Sequence, residues 1–258
     1  MSQVLQNEIS GWDSWNAKKY LDTFYSIPKG DTFVTLDFIT DELHKYRDKP
    51  FETALEFGSG PTLLGVLATA PYVKRLHVAD FLQQNLDEIT QWLMCEDGAF
   101  NWNTCTEYLL KKEGINPTPE TIAKKYSDLR GKIKKLLRGD ITQNSPLLNH
   151  QEHYDLLVSL FCADSITDSK IQWRQYMKNL FSLAAPKGTI IIGALRNCPF
   201  YRVGDRYFPC AKVNEKDLED LILEENHIIE DFAIRVNEVE DCLDEGFTSV
   251  MFARITLK

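Results

Sequence analysis

The stretch from Thr53 to Asp80 constrains the fold of this chain more than any other. An apolar run ends at Gly58-Ser59-Gly60, a helical pattern opens at Pro61, and a second apolar run ends in Asp80. Strand, glycine turn, helix, strand and terminal acid form one half of a nucleotide-binding α/β unit, in which the glycines admit a ligand and the acid binds ribose hydroxyls. The alternative is a plain βα turn with a solvated acid.

The glycine turn favours a nucleoside ligand over a dinucleotide. Thr62 occupies the position of the third glycine of the dinucleotide pattern, and that pattern serves a pyrophosphate. The acids Glu56 and Asp80 with Gly58 and Gly60 instead fit the adenosyl end of S-adenosylmethionine, which carries no phosphate. The sequence therefore predicts S-adenosylmethionine as the cofactor.

Alternating helices and strands are predicted along the rest of the chain. The later strands cover residues 136–138, 154–161, 189–195, 228–236 and 247–255, and the helices cover 13–25, 31–46, 85–92, 169–184 and 214–226. The last two strands follow each other across an acidic loop, so the final strand is expected to return antiparallel. This order predicts an α/β, Rossmann-like class I methyltransferase fold with a mostly parallel seven-stranded sheet.

One domain is expected over residues 1–258. Residues 1–50 would form an N-terminal helical lid and residues 51–258 the Rossmann-like core, with a hairpin insertion near 199–210. The first lid helix has an aromatic side, which is either ordinary core or a cover over the site, and Asp31 is predicted to cap the second lid helix.

Composition limits the partners. A net charge of −9 argues against nucleic acid, since phosphate backbones select basic surfaces. No stretch is long and apolar enough for a membrane and the first residues lack a signal-peptide pattern, so a cytoplasmic monomer without a membrane partner is expected. The six cysteines show no CxxC pairing and are predicted to be reduced. His150 and His153 lie in a loop-like segment, and no metal site is expected there.

Several motifs resemble the small-molecule N-methyltransferases that include the nicotinamide, phenylethanolamine and indolethylamine enzymes. They are NAKKYLDTFY, EFGSGPT, VADFLQQNLDEITQWL followed by AFNW, LRGDITQ, SLFCADS and the closing EGFTSVMFARI. GSGPT together with D-x4-NL-x5-WL and AF-x-W is far more specific than a glycine turn alone. The resemblance covers most of the chain and implies S-adenosylmethionine as cofactor, S-adenosylhomocysteine as its product, and a small-molecule amine as substrate.

The same resemblance implies which residues bind the cofactor. They are the lid tyrosines Tyr20 and Tyr25, the methionine-side loop Gly58, Ser59, Gly60 and Thr62, the ribose residues Asp80 and Asn85, and the adenine-side residues Phe81, Asp140 and Ile141. Leu160 stands where the nicotinamide enzyme has a threonine, so a polar contact is not expected there.

The acceptor side departs from the nicotinamide enzyme. That enzyme holds the carboxamide with an Asp just after the fifth strand, and the matching residue here is Gly193. Its serine matches Cys210, whereas Tyr201 matches a tyrosine that contacts the acceptor ring. Nicotinamide is therefore a poor candidate, and an amine is a better one.

Three acids are candidates for acceptor binding and proton transfer. Asp164 matches an acid near the amine in the phenylethanolamine enzyme, and Asp244 or Glu245 lies close to another. Asp164 and Asp244 are predicted to bind the incoming ammonium and take its proton, directly or through water. The alternative for these acids is that they are surface carboxylates near loop ends.

The leading hypothesis is N-methylation of a small amine. The resembling family includes a cyanobacterial enzyme that methylates a cyclic guanidino-amine during guanitoxin formation, so a guanidino-amine is one candidate acceptor. The alternatives are a nicotinamide-type pyridine N-methyltransferase, a non-catalytic scaffold that binds S-adenosylmethionine, and a methyltransferase acting on proteins. The last is disfavoured because lid helices would cover an open cleft.

Overall fold

The computed structural model describes residues 11–225 and 227–258. The first ten residues, which belong to the predicted lid and to the segment without a signal-peptide pattern, lie outside the described residues. Asn226, the predicted end of a helix, also lies outside them.

Helices and strands alternate as the apolar pattern predicted. The helices are α1 Ala17–Tyr25, α2 Gly30–Leu43, α3 Leu64–Thr69, α4 Gln83–Leu93, α5 Asn103–Lys112, α6 Pro119–Lys132, α7 Lys170–Phe181 and α8 Glu215–Glu224. The strands are β1 Phe51–Phe57, β2 Val73–Asp80, β3 Ile133–Arg138, β4 Tyr154–Leu160, β5 Ala184–Leu195, β6 Phe200–Val203, β7 Arg206–Pro209, β8 Ile229–Glu238 and β9 Ser249–Leu257.

Seven of these strands form one sheet in the order β3-β2-β1-β4-β5-β9-β8. The pairs from β3 to β5 are parallel, whereas β9 runs antiparallel to both β5 and β8. β6 and β7 pair separately as an antiparallel hairpin. The predicted mostly parallel sheet with an antiparallel last strand is confirmed.

The central strands are apolar throughout because both faces of the sheet are covered. Alternate residues of β1 show this: Ala54 packs in one apolar cluster with residues of α2 to α6, and Leu55 packs in another with residues of α7 and α8. Both side chains are fully buried. The sheet is therefore the middle layer, and its strand ends are the places where a ligand can reach the chain.

Two local predictions were wrong. The helix predicted from Pro61 begins at Leu64, because a turn closed by the bond from the Thr62 N–H to the Ser59 carbonyl delays it. Asp31 does not cap the second lid helix: Lys29 is the N-cap residue of α2, and Asp31 lies in its first turn with its side chain buried.

Within residues 11–225 and 227–258, no helix combines the length and the apolar character that a membrane span requires.

Candidate active site

A cavity of about 310 Å³ lies where β1, β2, β4 and β5 end, beneath the aromatic side of α1. It is lined by all eleven positions that the resemblance assigned to the cofactor, namely Tyr20, Tyr25, Gly58, Ser59, Gly60, Thr62, Asp80, Phe81, Asn85, Asp140 and Ile141. These residues come from four separate stretches of the chain, so the fold brings them together at the strand ends as the switch-point rule expects.

The glycine loop is shaped by close backbone packing. Gly58 has φ of +71°, and a Cβ atom there would lie 2.2 Å from the Sγ of Cys162. The Gly58 N–H donates to the carbonyl of Ala79 at 2.8 Å, which ties the loop to the end of β2. Only glycine satisfies both the left-handed backbone and the contact with Cys162.

Asp80 is held by three donors. Its Oδ2 accepts from the Gly60 N–H at 2.8 Å, and its Oδ1 accepts from the Leu82 N–H at 2.8 Å and from Asn85 Nδ2 at 2.9 Å. Asn85 in turn accepts from the indole N–H of Trp15 at 2.8 Å. Burial raises the pKa of Asp80 even though these bonds lower it. A carboxylate fixed in this way is oriented before a ligand arrives.

Glu56 presents a buried carboxyl group to the cavity. Its Oε2 has no hydrogen-bond partner among the described residues, and burial alone raises the pKa of the side chain to about 8. Both carboxyl oxygens lie 2.6 Å from where a Cβ would stand on Gly65, so α3 can approach the carboxyl group only with glycine there. An unsatisfied polar atom in such a place indicates that a ligand group is needed to complete its hydrogen bonds.

The lid tyrosines belong to an aromatic cluster. The ring centroid of Tyr20 lies 4.9 Å from that of Trp15, 4.8 Å from that of Phe24 and 6.1 Å from that of Tyr25. Burial is the main cause that raises the pKa of Tyr20 and Tyr25, so both hydroxyls stay protonated at neutral pH. The cavity therefore receives neutral ring faces from α1.

At the other end of the cavity, residues 139–142 form a short loop after β3. Asp140 Oδ1 accepts from the N–H of Thr142 at 3.0 Å, and the carbonyl of Ile141 accepts from Asn179 Nδ2 at 2.8 Å. Phe81 is half exposed, with the guanidinium of Arg138 5.8 Å from its ring centroid. This end is open and partly apolar.

Asp31 is the acid that sequence reasoning missed as a site residue. It lines the cavity from the first turn of α2 and is only 8% exposed. The thiol of Cys242 donates to its Oδ1 at 3.4 Å. Burial, with the nearby charges of Glu245 and Asp241, raises the pKa of Asp31 to about 6. No local motif marks the position, because residues 240–247, which pack beside it, are distant in sequence.

Asp164 and Cys210, both predicted to contact the acceptor, lie behind residues that line the cavity. Asp164 Oδ2 accepts from the backbone N–H of Leu195 at 2.9 Å and from Ser165 Oγ at 3.2 Å, and the thiol of Cys210 lies 3.9 Å away. Ser165 and Leu195 line the cavity, whereas Asp164 lines a separate void of about 10 Å³. Burial raises the pKa of Asp164 to about 6.

The acids of residues 240–245 also differ from expectation. Asp244, predicted to contact the acceptor, is exposed and does not line the cavity. Glu245 is buried with its Oε1 2.5 Å from the Nζ of Lys29, and its Oε2 has no partner within the described part of the chain. Tyr201 does line the cavity, as does Phe247 next to this segment.

Comparison with known proteins decides the family. The sequence pattern of the NNMT/PNMT/TEMT family matches residues 3–254, nearly the whole chain. The chain belongs to the NNMT/PNMT/TEMT family. The predicted recognition is confirmed, and this family member is an N-methyltransferase that depends on S-adenosylmethionine.

Curated relatives agree on the transferred group and differ in the acceptor. The chain is 29% identical to indolethylamine N-methyltransferase of Oryctolagus cuniculus, over 83% of this chain and 82% of that protein. It is 28% identical to nicotinamide N-methyltransferase of Sus scrofa, over 85% and 84%. It is 26% identical to phenylethanolamine N-methyltransferase of Macaca mulatta, over 86% and 81%. Three acceptor types at similar identity leave the acceptor of this family member to be argued from its own cavity.

Solved structures support the fold. N-methyltransferase NodS from Bradyrhizobium japonicum WM9, in complex with S-adenosyl-L-homocysteine, gives a TM-score of 0.50 at 17% identity, covering 99% of this chain and 97% of that one. The DhpI–SAM–HEP complex gives 0.53 at 12% identity, covering 93% and 91%. The class I methyltransferase fold predicted from strand order is confirmed.

Proposed function

We propose that this protein methylates the nitrogen of a small amine that is bound as a cation. The observation that carries the proposal is Asp31, a buried carboxyl group that faces the same cavity as Tyr20, Tyr25 and Tyr201. A carboxylate beside aromatic ring faces binds an ammonium group by charge and by cation–π attraction. A neutral carboxamide gains much less from such a site.

The residues present fit the cofactor. The unpartnered Oε2 of Glu56 is positioned for a cationic group, and the glycine loop leaves room for close approach along its backbone. Asp80 offers an oriented carboxylate for hydroxyl groups. When bound, S-adenosylmethionine supplies a methyl group already activated by its sulfonium.

Alignment is the main task left to the protein. Tyr20 and Tyr25 cover the cavity from α1 and exclude water from it, and Tyr201 of the β6–β7 hairpin supplies a further ring face. Trp15 links this cover to the cofactor end through Asn85 and Asp80. One hydrogen-bond chain therefore connects the residue just before α1 to the cofactor end of the cavity.

Asp31 is assigned the acid–base role that was predicted for Asp164 and Asp244. An amine attacks only when neutral, so its proton must leave before or during transfer. With a pKa raised to about 6, Asp31 is ionised at neutral pH and is a stronger base than an ordinary carboxylate. It would hold the ammonium form and take the proton, directly or through water. Asp164 would position the wall residues Ser165 and Leu195.

A guanidino-amine remains a prediction within the amine class. Glu245 lies near Asp31 but is paired with Lys29 at 2.5 Å, so Asp31 is the acid left to hold such a cation. The alternatives of nicotinamide methylation and of a non-catalytic scaffold make different predictions for the same assay.

The test is methyl transfer from labelled S-adenosylmethionine to a panel of primary amines, a guanidino-amine and nicotinamide. The proposal predicts labelled product with one or more amines. Transfer to nicotinamide alone would contradict the amine class. Tight binding of S-adenosylhomocysteine without transfer to any acceptor in the panel would favour the scaffold.

A further inference from the structure

A second group of polar side chains lies away from the cavity. His77 is in the middle of β2, and His150 and Glu152 are in the segment that leads into β4. One ligand atom from each lies within 4.8 Å of the other two. The sequence suggested His150 and His153 as the nearest histidine pair, but the fold brings His150 to His77 instead.

Two of the distances between these atoms are close to those of a coordination shell. Glu152 Oε2 lies 2.9 Å from His150 Nε2 and 3.7 Å from His77 Nδ1. Ligands bound to zinc at about 2.0–2.1 Å in a tetrahedral site stand about 3.3 Å apart. All three atoms lie within 4.8 Å of one another, so rotations of the side chains would place them around one ion.

The chemistry of the three groups is also suitable. Two imidazoles and one carboxylate form a donor set that borderline divalent metals such as zinc favour. His77 Nδ1 is hydrogen-bonded to Tyr154 Oη at 2.9 Å, so an ion bound to this nitrogen would replace that hydrogen bond.

The site is accessible from one side. The His77 side chain is 4% exposed, whereas those of His150 and Glu152 are 18% and 25% exposed. A metal can therefore enter from the segment side while the strand supplies a fixed ligand. The positive charges of Lys135 and Arg75 act on His77 and weaken cation binding, which favours a modest affinity.

We propose that His77, His150 and Glu152 form a zinc-type divalent metal site that fastens residues 139–152 to the sheet. This segment begins at the cofactor cavity with Asp140 and Ile141, and folds back through the bond from the Asp140 N–H to the Pro146 carbonyl. Fixing its far end restrains the adenine side of the cavity. The proposal concerns metal binding and stability, and it holds whatever acceptor the enzyme uses.

The test compares zinc binding by chelator-treated protein and its variants. Equilibrium dialysis against zinc chloride with a competing indicator should give one zinc per chain for the natural sequence. His150→Ala and Glu152→Gln should each weaken binding roughly tenfold or more. His153→Ala is the matched control, since His153 is an exposed histidine of the same segment outside the cluster, and it should bind like the natural sequence.

Thermal unfolding supplies a second readout that does not depend on activity. Zinc should raise the midpoint temperature of the natural protein and of His153→Ala, because a ligand that binds the folded state stabilises it. It should leave the midpoint of His150→Ala and Glu152→Gln much less changed. If all four proteins bind zinc equally, the ion is held by other groups. If the natural protein binds no zinc, the cluster is only a hydrogen-bonded network. Either result overturns the proposal.

Discussion

The backbone N–H of Gly60 donates to the Oδ2 of Asp80 at 2.8 Å, and this bond joins the glycine turn to the acid that ends the next strand. The sequence motif predicts a nucleoside site from these two residues. Their direct contact means that the loop and the acid form one unit rather than two independent contacts. A change at Asp80 therefore alters the ligand contact and the loop that surrounds it.

The first prediction concerns Asp80→Asn. The variant keeps the shape of the side chain but loses its charge, and one of its two oxygens becomes a donor facing N–H groups. Affinity for S-adenosylhomocysteine, measured by calorimetry, should fall by about 1.5–3 kcal/mol, or roughly tenfold to a hundredfold. Asp87→Asn on the exposed face of α4 is the matched control and should bind normally. Normal binding by Asp80→Asn would show that the cofactor lies elsewhere.

The lid is tested by two changes at Tyr20. Tyr20 packs against Trp15 and Phe24 but lies outside the sheet, so Tyr20→Ala should lower the unfolding temperature while the fold stays intact. Its turnover should nevertheless fall roughly tenfold or more, since the ring that excludes water from the cavity is gone. Tyr20→Phe keeps the ring and should retain most of the turnover. If Tyr20→Ala and the natural protein have equal turnover, the aromatic side of α1 only packs against the core.

The raised pKa of Glu56 predicts that the stability of the folded protein depends on pH. Its pKa is raised from 4.5 to about 8 in the folded protein, so the folded state holds this proton more tightly than the unfolded state does. The resulting stabilisation is complete below the unfolded pKa and is lost as pH rises through the folded pKa. Glu56→Gln cannot ionise, so its advantage in unfolding temperature over the natural protein should grow between pH 5 and about pH 9.

The control for this measurement is Glu52→Gln, an exposed acid at the start of the same strand. It should follow the natural protein at every pH. An unfolding temperature for Glu56→Gln that runs parallel to that of the natural protein would mean that the carboxyl group is satisfied in the folded state.

Gly193 tests whether the acceptor acid of the nicotinamide enzyme can be restored. A Cβ at this position would lie 3.1 Å from Leu160 Cδ2 and 3.2 Å from Phe252 Cδ1. Gly193→Asp should therefore lower the unfolding free energy by several kcal/mol, since an acid would be buried between apolar groups. It should give no nicotinamide activity. Gly193→Ala adds the Cβ atom without the charge and should lower the unfolding free energy much less. Equal unfolding free energies for the two variants would contradict this prediction.

The sequence predicted the features that rest on local patterns. The β1–glycine turn–β2 unit and the antiparallel last strand follow from runs of apolar residues and from Gly58 and Gly60, and a family resemblance added Tyr20 and Asn85 at specific positions. These residues needed no knowledge of distant contacts, and the structure brings them together around one cavity.

The acceptor acids could not be assigned in this way, because their orientation depends on distant contacts. Asp164 follows a buried strand, but Phe161 takes φ of +54° and bonds to the carbonyl of Gly193, and Asp164 then meets the backbone of Leu195. A positive φ at phenylalanine has no signature in sequence. Asp31 likewise gains its environment from Cys242, which is more than two hundred residues away.

Selection of a cationic amine by Asp31 is tested most directly by comparing Asp31→Asn with the natural protein. The quantity measured is kcat/KM for the best amine acceptor across pH. Loss of a charge-assisted contact predicts a fall of roughly tenfold or more. In the natural protein, ionisation of Asp31 adds a rise in kcat/KM as pH increases through about 6, and this rise should be absent from Asp31→Asn. Asp22→Asn, on the exposed face of α1, should behave like the natural protein. If Asp31→Asn keeps both the natural kcat/KM and the natural pH profile, Asp31 does not bind the acceptor and the account is wrong.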